Sequence, residues 1–152
     1  MKNLESVGAD VGSDELAAGL ERLFAVWRRL AVPGGLSSTA AFTLARLSRD
    51  GPGRLTELAA HENVSQPAMT QLVSRLESRG LAERFKDPVD ARVVNVRVTA
   101  AGEALVALRR AARARQFAEF YRALPAGHQA ALADALPAVR QLADLGSRRS
   151  RA

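Results

Sequence analysis

The sequence predicts a mainly α-helical fold that carries one small β-hairpin, and three observations support this. Apolar residues recur at three- and four-residue steps through most of the chain, as in amphipathic helices. Two strand-like segments follow a helix, a short turn and a second helix. The chain has 152 residues, of which 47% are hydrophobic and 25% are charged, so it falls in the ordinary range of one globular domain.

The first three helices are expected before residue 63. The first spans Ser13–Leu30, with the Ser13 hydroxyl as its N-cap, and the segment that begins at Pro33 interrupts it. A second helix is predicted over Ser37–Arg49, before a Gly-Pro-Gly sequence. A short third helix of about two turns follows over residues 54–62, and Asn63 can adopt the left-handed conformation that ends it.

A fourth helix and a hairpin come next. Ser65 is a good N-cap, and Pro67 is tolerated because the first N–H groups of a helix have no intrahelical acceptor. Gly80 closes this helix. Residues 81–86 and 93–98 are predicted strands, with valines alternating in the second, so we expect a hairpin with one buried face.

Two long helices complete the pattern. Thr99 is expected to cap a helix that continues to about Leu124, and Pro125 begins a last helix that ends near Leu145. Pro137 lies inside this last segment, where it either bends one helix or separates two shorter ones. The order of helix, helix, helix, turn, helix, hairpin, helix and helix is the winged helix-turn-helix arrangement with flanking helices.

The fourth helix has one apolar side and one uncharged polar side. On a helical wheel the core side consists of Met69, Leu72, Val73 and Leu76. The opposite side consists of Gln66, Pro67, Thr70, Gln71 and Ser74. It lacks acidic residues, and glutamine, serine and threonine can hydrogen-bond base edges in a major groove. Arg75 lies at the edge, where a phosphate contact is favoured. The alternative is an ordinary solvated polar face.

The turn of the hairpin carries a second candidate for DNA contact. Arg92 can reach a minor groove, and Asp90 can hydrogen-bond and orient its guanidinium. The alternative is a surface salt bridge of the kind that contributes less than about 1 kcal/mol.

The charge balance favours a polyanionic partner. Twenty arginines and two lysines oppose 16 acidic residues, for a net charge of +6. An arginine-rich genome would give the same composition. Between Arg54 and Arg97 the cations and acids nearly cancel, with seven against six, so the surplus lies elsewhere. The arginines of the run Arg109–Arg115 are interpreted as a solvated helix face.

The sequence offers little that could serve as the base, nucleophile or metal site of an enzyme. Cysteine is absent, which excludes disulfides, thiolate nucleophiles and cysteine-bound zinc. The two histidines, His61 and His128, lie far apart, and neither belongs to a zinc or phosphate-binding motif. No metal or cofactor is expected. The N-terminus does not resemble a secretory signal and no segment is apolar enough to span a membrane, so a cytoplasmic protein is predicted.

Several sequence blocks resemble the multiple antibiotic resistance regulator (MarR) family over essentially the whole chain. The blocks are Arg54–Ala59, Val64–Glu77, Arg79–Leu81, Asp87–Arg92 and Val98–Gly102. The most specific block is Asp90 and Arg92 followed by Thr99 and Gly102. Ala91 stands where many members have a second basic residue, which predicts weaker DNA binding by the turn of the hairpin, called the wing from here on.

The resemblance implies a homodimer that binds a pseudo-palindromic double-stranded operator and has a ligand crevice between each DNA-binding lobe and the dimer body. The matching DNA-contact residues are Ser65, Gln66, Thr70, Gln71, Ser74, Arg75, Asp90 and Arg92. Phe24 and Trp27 are core or dimer-interface residues, or else they line that crevice.

The expected layout has five parts. They are a flexible N-terminus (1–12), a dimerisation helix (13–35), a winged helix-turn-helix lobe (36–98), dimerisation helices (99–146) and a basic flexible tail (147–152). The predicted function is a dimeric transcriptional regulator, a repressor that a small-molecule effector releases from DNA. The alternative is a winged-helix module that binds another protein and no specific DNA.

Overall fold

The computed structural model describes the backbone of residues 4–30, 32–88 and 93–149, and the side chains of residues 12–30, 32–88 and 93–146. It divides into two units, residues 1–32 and residues 33–152. The first unit contains α1 (Leu4–Arg29). The elements of the second unit are α2 (Ser38–Asp50), β1 (Gly53–Arg54), α3 (Leu55–His61), α4 (Gln66–Ser78), β2 (Ala82–Lys86), β3 (Val94–Val98), α5 (Ala100–Arg122) and α6 (Ala126–Arg149).

Helix α1 begins earlier than the sequence pattern predicts. It starts at Leu4, so Ser13 lies inside the helix and is not its N-cap, and residues 4–12 are helical where a flexible N-terminus was expected. Residues 4–12 contain no proline, and a glycine costs a helix only about 1 kcal/mol relative to alanine, so the helical backbone continues N-terminal to Ser13.

The predicted cap of α4 is confirmed, and Ser37, which was expected as the first residue of the second helix, is the N-cap of α2. Ser37 accepts a hydrogen bond from the Ala40 N–H, and Ser65 accepts one from the Ala68 N–H. These bonds satisfy N–H groups that have no acceptor inside the helix. Asn63, after α3, has a φ of 51°, so it adopts the left-handed conformation that its position predicts.

The predicted hairpin is part of a three-stranded antiparallel sheet in the order β1-β3-β2. Strand β1 pairs Gly53 with Val96, and the sequence did not predict it because two residues are too few to show alternation. One face is buried at Val96, which has no exposed surface. Val94 was expected on the same face but is 38% exposed, since it lies opposite Lys86 at the turn end of the hairpin, away from the core.

One apolar core holds the second unit together. It joins α2, α3, α4, the sheet and the start of α5, and its most deeply buried large side chains include Leu44, Leu47, Leu58, Met69 and Leu76. The core side predicted for α4 is confirmed, because Met69, Leu72, Val73 and Leu76 are all buried. This burial fixes which side of α4 faces outward.

Thr99 and Gly102 connect α5 to the end of α4. The Thr99 hydroxyl accepts a hydrogen bond from the Gly102 N–H at 3.1 Å and donates one to the Gly80 carbonyl at 2.6 Å. Gly102 is buried, and a Cβ atom there would collide with the Leu81 carbonyl oxygen and lie 2.6 Å from Val98 Cγ2. The Thr-x-x-Gly sequence is therefore a capped and closely packed helix start.

The last helix is continuous and longer than predicted. Pro137 lies inside α6, and the helix passes Gly146 to end at Arg149, so residues 147–149 are helical where a flexible tail was expected. Gly146 is not among the glycines with positive φ, so it does not adopt the left-handed conformation by which a glycine ends a helix. None of the helices in the described part of the chain is long and apolar enough to cross a membrane.

Candidate nucleic-acid interface

The outer face of α4 consists of side chains that the core leaves exposed. Its members, called the outer face from here on, are Gln66, Pro67, Thr70, Gln71, Ser74 and Arg75, and each is exposed. The structure therefore brings together on one surface all of the residues that the helical wheel assigned to it. Ser65 is exposed as well and caps the N-terminal end of this surface.

The hydroxyl groups of the outer face donate into their own helix. Thr70 Oγ1 donates to the Gln66 carbonyl at 2.9 Å, and Ser74 Oγ donates to the Thr70 carbonyl at 3.0 Å. Arg75 Nε donates to the Gln71 carbonyl at 3.4 Å, which draws the arginine along the helix surface. The hydrogens of both hydroxyls thus point toward the backbone, so toward any further partner these oxygens act as acceptors.

Arg84 extends from β2 onto the outer face, and the sequence analysis did not single it out. Its guanidinium forms an ion pair with Glu77 and donates to the Thr70 carbonyl at 2.9 Å and to Ser74 Oγ at 3.0 Å. The sequence could have indicated this contact, because Arg84 lies two residues after the buried Ala82 and therefore on the same face of strand β2. A charged residue on the inward side of a strand needs a partner, and α4 supplies it.

The base of the wing is held by two bonds. The Asp87 N–H donates to the Val93 carbonyl at 2.9 Å, and Asn95 Nδ2 donates to Asp87 Oδ2 at 3.0 Å. On the strands, Arg97 Nε pairs with Glu83 at 2.6 Å and its guanidinium stacks 5.0 Å above the Phe85 ring. The predicted wing residues Asp90 and Arg92 lie outside the described residues.

Two arginines bind the loop that precedes α2, and one of them corrects the sequence interpretation. Arg109 was expected on a solvated helix face, but it is only 6% exposed, and its guanidinium donates to the Pro33 carbonyl. Burial lowers the pKa of Arg109 from its ordinary value, with further contributions from the neighbouring cations Arg113 and Arg79. Arg79, directly after α4, donates to the Gly34 carbonyl.

The two aromatic candidates for a ligand crevice lie on α1. Phe24 is 49% exposed, and Trp27 is partly buried. Because α1 belongs to the first unit, the structure describes these side chains on their own helix, and their role in a crevice stays a prediction.

A helix-turn-helix whose second helix presents a polar face without acidic residues, followed by a β-hairpin, is the arrangement of the winged helix-turn-helix class of transcriptional regulators. Comparison with known proteins narrows the class. The family model described as MarR family matches residues 36–94. A transcriptional regulator of Mycobacterium leprae is 32% identical over 112 residues, which cover 74% of this chain and 77% of the relative. The chain belongs to the MarR family.

Other relatives match over a shorter region. A regulator of Mycobacterium tuberculosis is 34% identical over 93 residues, 61% of this chain and 64% of its own length. The transcriptional repressor NicR of Pseudomonas putida is 33% identical over 91 residues, 60% of this chain and 58% of its own length. The matched region thus spans somewhat less than two thirds of these two relatives.

Solved structures show the same fold. RV1404 from Mycobacterium tuberculosis is 25% identical with a TM-score of 0.68, and the match covers 87% of this chain and 92% of that one. The regulator PcaV of Streptomyces coelicolor, crystallised with its natural ligand, is 25% identical with a TM-score of 0.56, and the match covers 85% and 89% of the two chains.

Proposed function

We propose that this protein is a homodimeric, sequence-specific DNA-binding transcriptional regulator and that it acts as a repressor released by a small molecule. The observation that carries the proposal is the outer face of α4. Four buried apolar side chains orient the helix so that exposed amide, hydroxyl and guanidinium groups lie together without an acid among them. Membership of the MarR family supports the same function.

In this proposal α4 lies in a major groove. Gln66 and Gln71 offer amide groups that can bond N6 and N7 of adenine, while Ser65 and Thr70 contact bases or phosphates near the start of the helix. Arg75 neutralises a phosphate at the groove edge. The near balance of charge along residues 54–97 predicts modest non-specific affinity, so sequence preference comes from base contacts.

The wing supplies a second contact. Asp87, Val93 and Asn95 hold its two strands together at the base, and the residues between them include Asp90 and Arg92. We assign Arg92 to the flanking minor groove and Asp90 to orienting its guanidinium. Pro67 follows Gln66 in the first turn of α4, where its fixed φ supports the helix start.

Exposed apolar side chains support the homodimer. With the exception of Val94, the large hydrophobic residues that are exposed in the described part of the chain lie on α1, α5 and α6. On α6 they recur at three- and four-residue steps and consist of Leu132, Leu136, Val139, Leu142 and Leu145. A one-sided apolar stripe of this kind is typical of a helix that packs against a partner. A second copy of the chain is the partner we propose.

The relatives support repression and an effector. NicR is named a repressor, and PcaV was crystallised with its natural ligand. We propose that an effector prefers an arrangement of the two lobes in which the two α4 helices no longer match half-sites about one helical turn apart. Phe24 and Trp27 are the candidate ligand contacts. A transcriptional regulator works where the chromosome lies, so a cytoplasmic location belongs to the same proposal.

Two classes of variant test the DNA assignment. Duplexes selected from a random pool by the wild-type protein define the operator, and gel-shift titrations at two salt concentrations then measure affinity. Arg92→Ala should weaken binding to all sequences and lower the salt slope by about one unit. Gln66→Ala and Gln71→Ala should relax the preference at particular base pairs while the salt slope stays the same.

Binding that is unchanged in all three variants would contradict the assigned contacts. Selection of no preferred sequence at either salt concentration would favour the alternative, a winged helix that binds another protein. The near-neutral charge of the lobe is the observation that favours this alternative.

A further inference from the structure

Arg84 connects strand β2 to α4, the helix that carries the outer face. Its backbone N–H donates to Glu77 Oε1 at 2.8 Å, and its guanidinium forms an ion pair with the other oxygen of the same carboxylate. Through Nη2 the guanidinium also donates to the Thr70 carbonyl at 2.9 Å and to Ser74 Oγ at 3.0 Å. A strand residue thus determines the surroundings of one hydroxyl in the middle of the outer face.

The chemistry of the two partners of Ser74 fixes which atom donates and which accepts in each of its hydrogen bonds. A serine hydroxyl carries one hydrogen and two acceptor lone pairs. Because a carbonyl can only accept, Ser74 must donate its hydrogen to the Thr70 carbonyl at 3.0 Å. Because a guanidinium can only donate, Arg84 must occupy one of the lone pairs. What the exposed Ser74 hydroxyl has left for a partner is one acceptor lone pair.

We propose that Arg84 is a positioning residue for base selection, because it holds the Ser74 hydroxyl as an acceptor toward the major groove. An acceptor at this position selects a base with an exocyclic amino group, adenine N6 or cytosine N4, and disfavours thymine O4 and guanine O6 and N7. The inference rests on the proposed binding of DNA by α4 and names the base chemistry that one of its residues recognises.

Thr70 provides a contrast on the same helix. Its hydroxyl donates to the Gln66 carbonyl at 2.9 Å, but Arg84 reaches the Thr70 carbonyl and not its hydroxyl. The Thr70 hydroxyl can therefore rotate and donate to a base or a phosphate when DNA is bound. The preference for an amino group should accordingly depend on Ser74 and Arg84 and not on Thr70.

The test begins by finding the base that Ser74 contacts. Sequences are selected from random duplexes with the wild-type protein and with Ser74→Ala, and the base pair whose preference is lost in the variant is the Ser74 position. At this position the amino group is then deleted, by replacing adenine with purine or cytosine with 2-pyrimidinone. Deletion should weaken wild-type binding by about 3- to 10-fold, the effect of one hydrogen bond.

In Arg84→Lys, deletion of the amino group should weaken DNA binding by less than about twofold. The lysine ammonium keeps the charge but lacks the planar fork that reaches Glu77, Thr70 and Ser74 together. Arg97→Lys is the matched control, since Arg97 lies on the neighbouring strand and pairs with Glu83 on the surface. In Arg97→Lys, deletion of the amino group should weaken binding as much as it does in the wild type. If thermal melting shows that Arg84→Lys is unfolded, Glu77→Gln replaces it, with the same expectation.

An equal dependence on the amino group in Arg84→Lys and wild type would overturn the inference. A wild-type preference for thymine or guanine at the Ser74 position, or the same base preferences with and without the Ser74 hydroxyl, would overturn it as well. All three outcomes leave specific DNA binding intact. Failure of the proposed function differs, because the wild-type protein would then select no sequence at all.

Discussion

Replacing Gly102 with alanine tests the close approach of α5 to the chain that follows α4. Gly102 is buried in the first turn of α5, and its N–H donates to the Thr99 hydroxyl. An added Cβ would collide with the Leu81 carbonyl oxygen and lie 2.6 Å from Val98 Cγ2. Ordinary carbon–carbon contacts are about 3.5–4.0 Å, so α5 would have to move away by roughly 1 Å.

The expected loss of stability follows from this movement. Overpacking a well-packed site costs about 1–3 kcal/mol. The shift also strains the hydrogen bond from Gly102 N–H to Thr99 and the bond from Thr99 N–H to the Leu81 carbonyl, each of which contributes about 1 kcal/mol. Alanine restores about 1 kcal/mol of helix propensity. The net decrease in the free energy of unfolding should be about 2–4 kcal/mol.

Urea denaturation followed by circular dichroism measures this decrease. Gly127→Ala is the control, because Gly127 lies in α6 and nothing stands within 4 Å of its added Cβ. It should leave stability unchanged or raise it by up to about 1 kcal/mol. If Gly102→Ala were as stable as Gly127→Ala, then α5 would not approach Leu81 as closely as the structure indicates, and the explanation of the Thr-x-x-Gly sequence would be wrong.

Three further variants test other parts of the molecule. Thr43 is fully buried and its hydroxyl has no hydrogen-bond partner among the described residues, so Thr43→Val should stabilise the protein by about 1 kcal/mol in urea denaturation, whereas the control Thr43→Ser should destabilise it. Burial raises the pKa of Glu62 against the opposing charge of Arg46. The wild type should therefore lose stability as the pH rises from the ordinary glutamate pKa through the raised one, and Glu62→Gln should be more stable at neutral pH but not in acid. The proposed homodimer predicts that Leu136→Glu shifts the protein from dimer to monomer in sedimentation velocity, whereas Gln141→Glu on the same helix does not. A dimer that persists in Leu136→Glu would exclude the apolar stripe of α6 as the interface.

Helix α4 could be predicted from the sequence in some detail. The core side of α4, its exposed opposite side and the N-caps of α4 and α5 all agree with the structure. These features depend on residues within one or two helical turns of each other, so periodicity and capping chemistry are enough to predict them. Local signals were less reliable at helix ends, where Ser13 and Gly146 resembled boundaries and the helices continue past both.

What the chain alone determined is which residues face outward on α4, because that pattern is a property of one helix. The tertiary structure decided which distant groups meet on that surface. Arg84 reaches Ser74 across 10 residues, and Arg109 is buried against Pro33, 76 residues away. An arginine in a sequence looks the same whether it faces water or a buried carbonyl, and only the path of the folded backbone brings the acceptor to it.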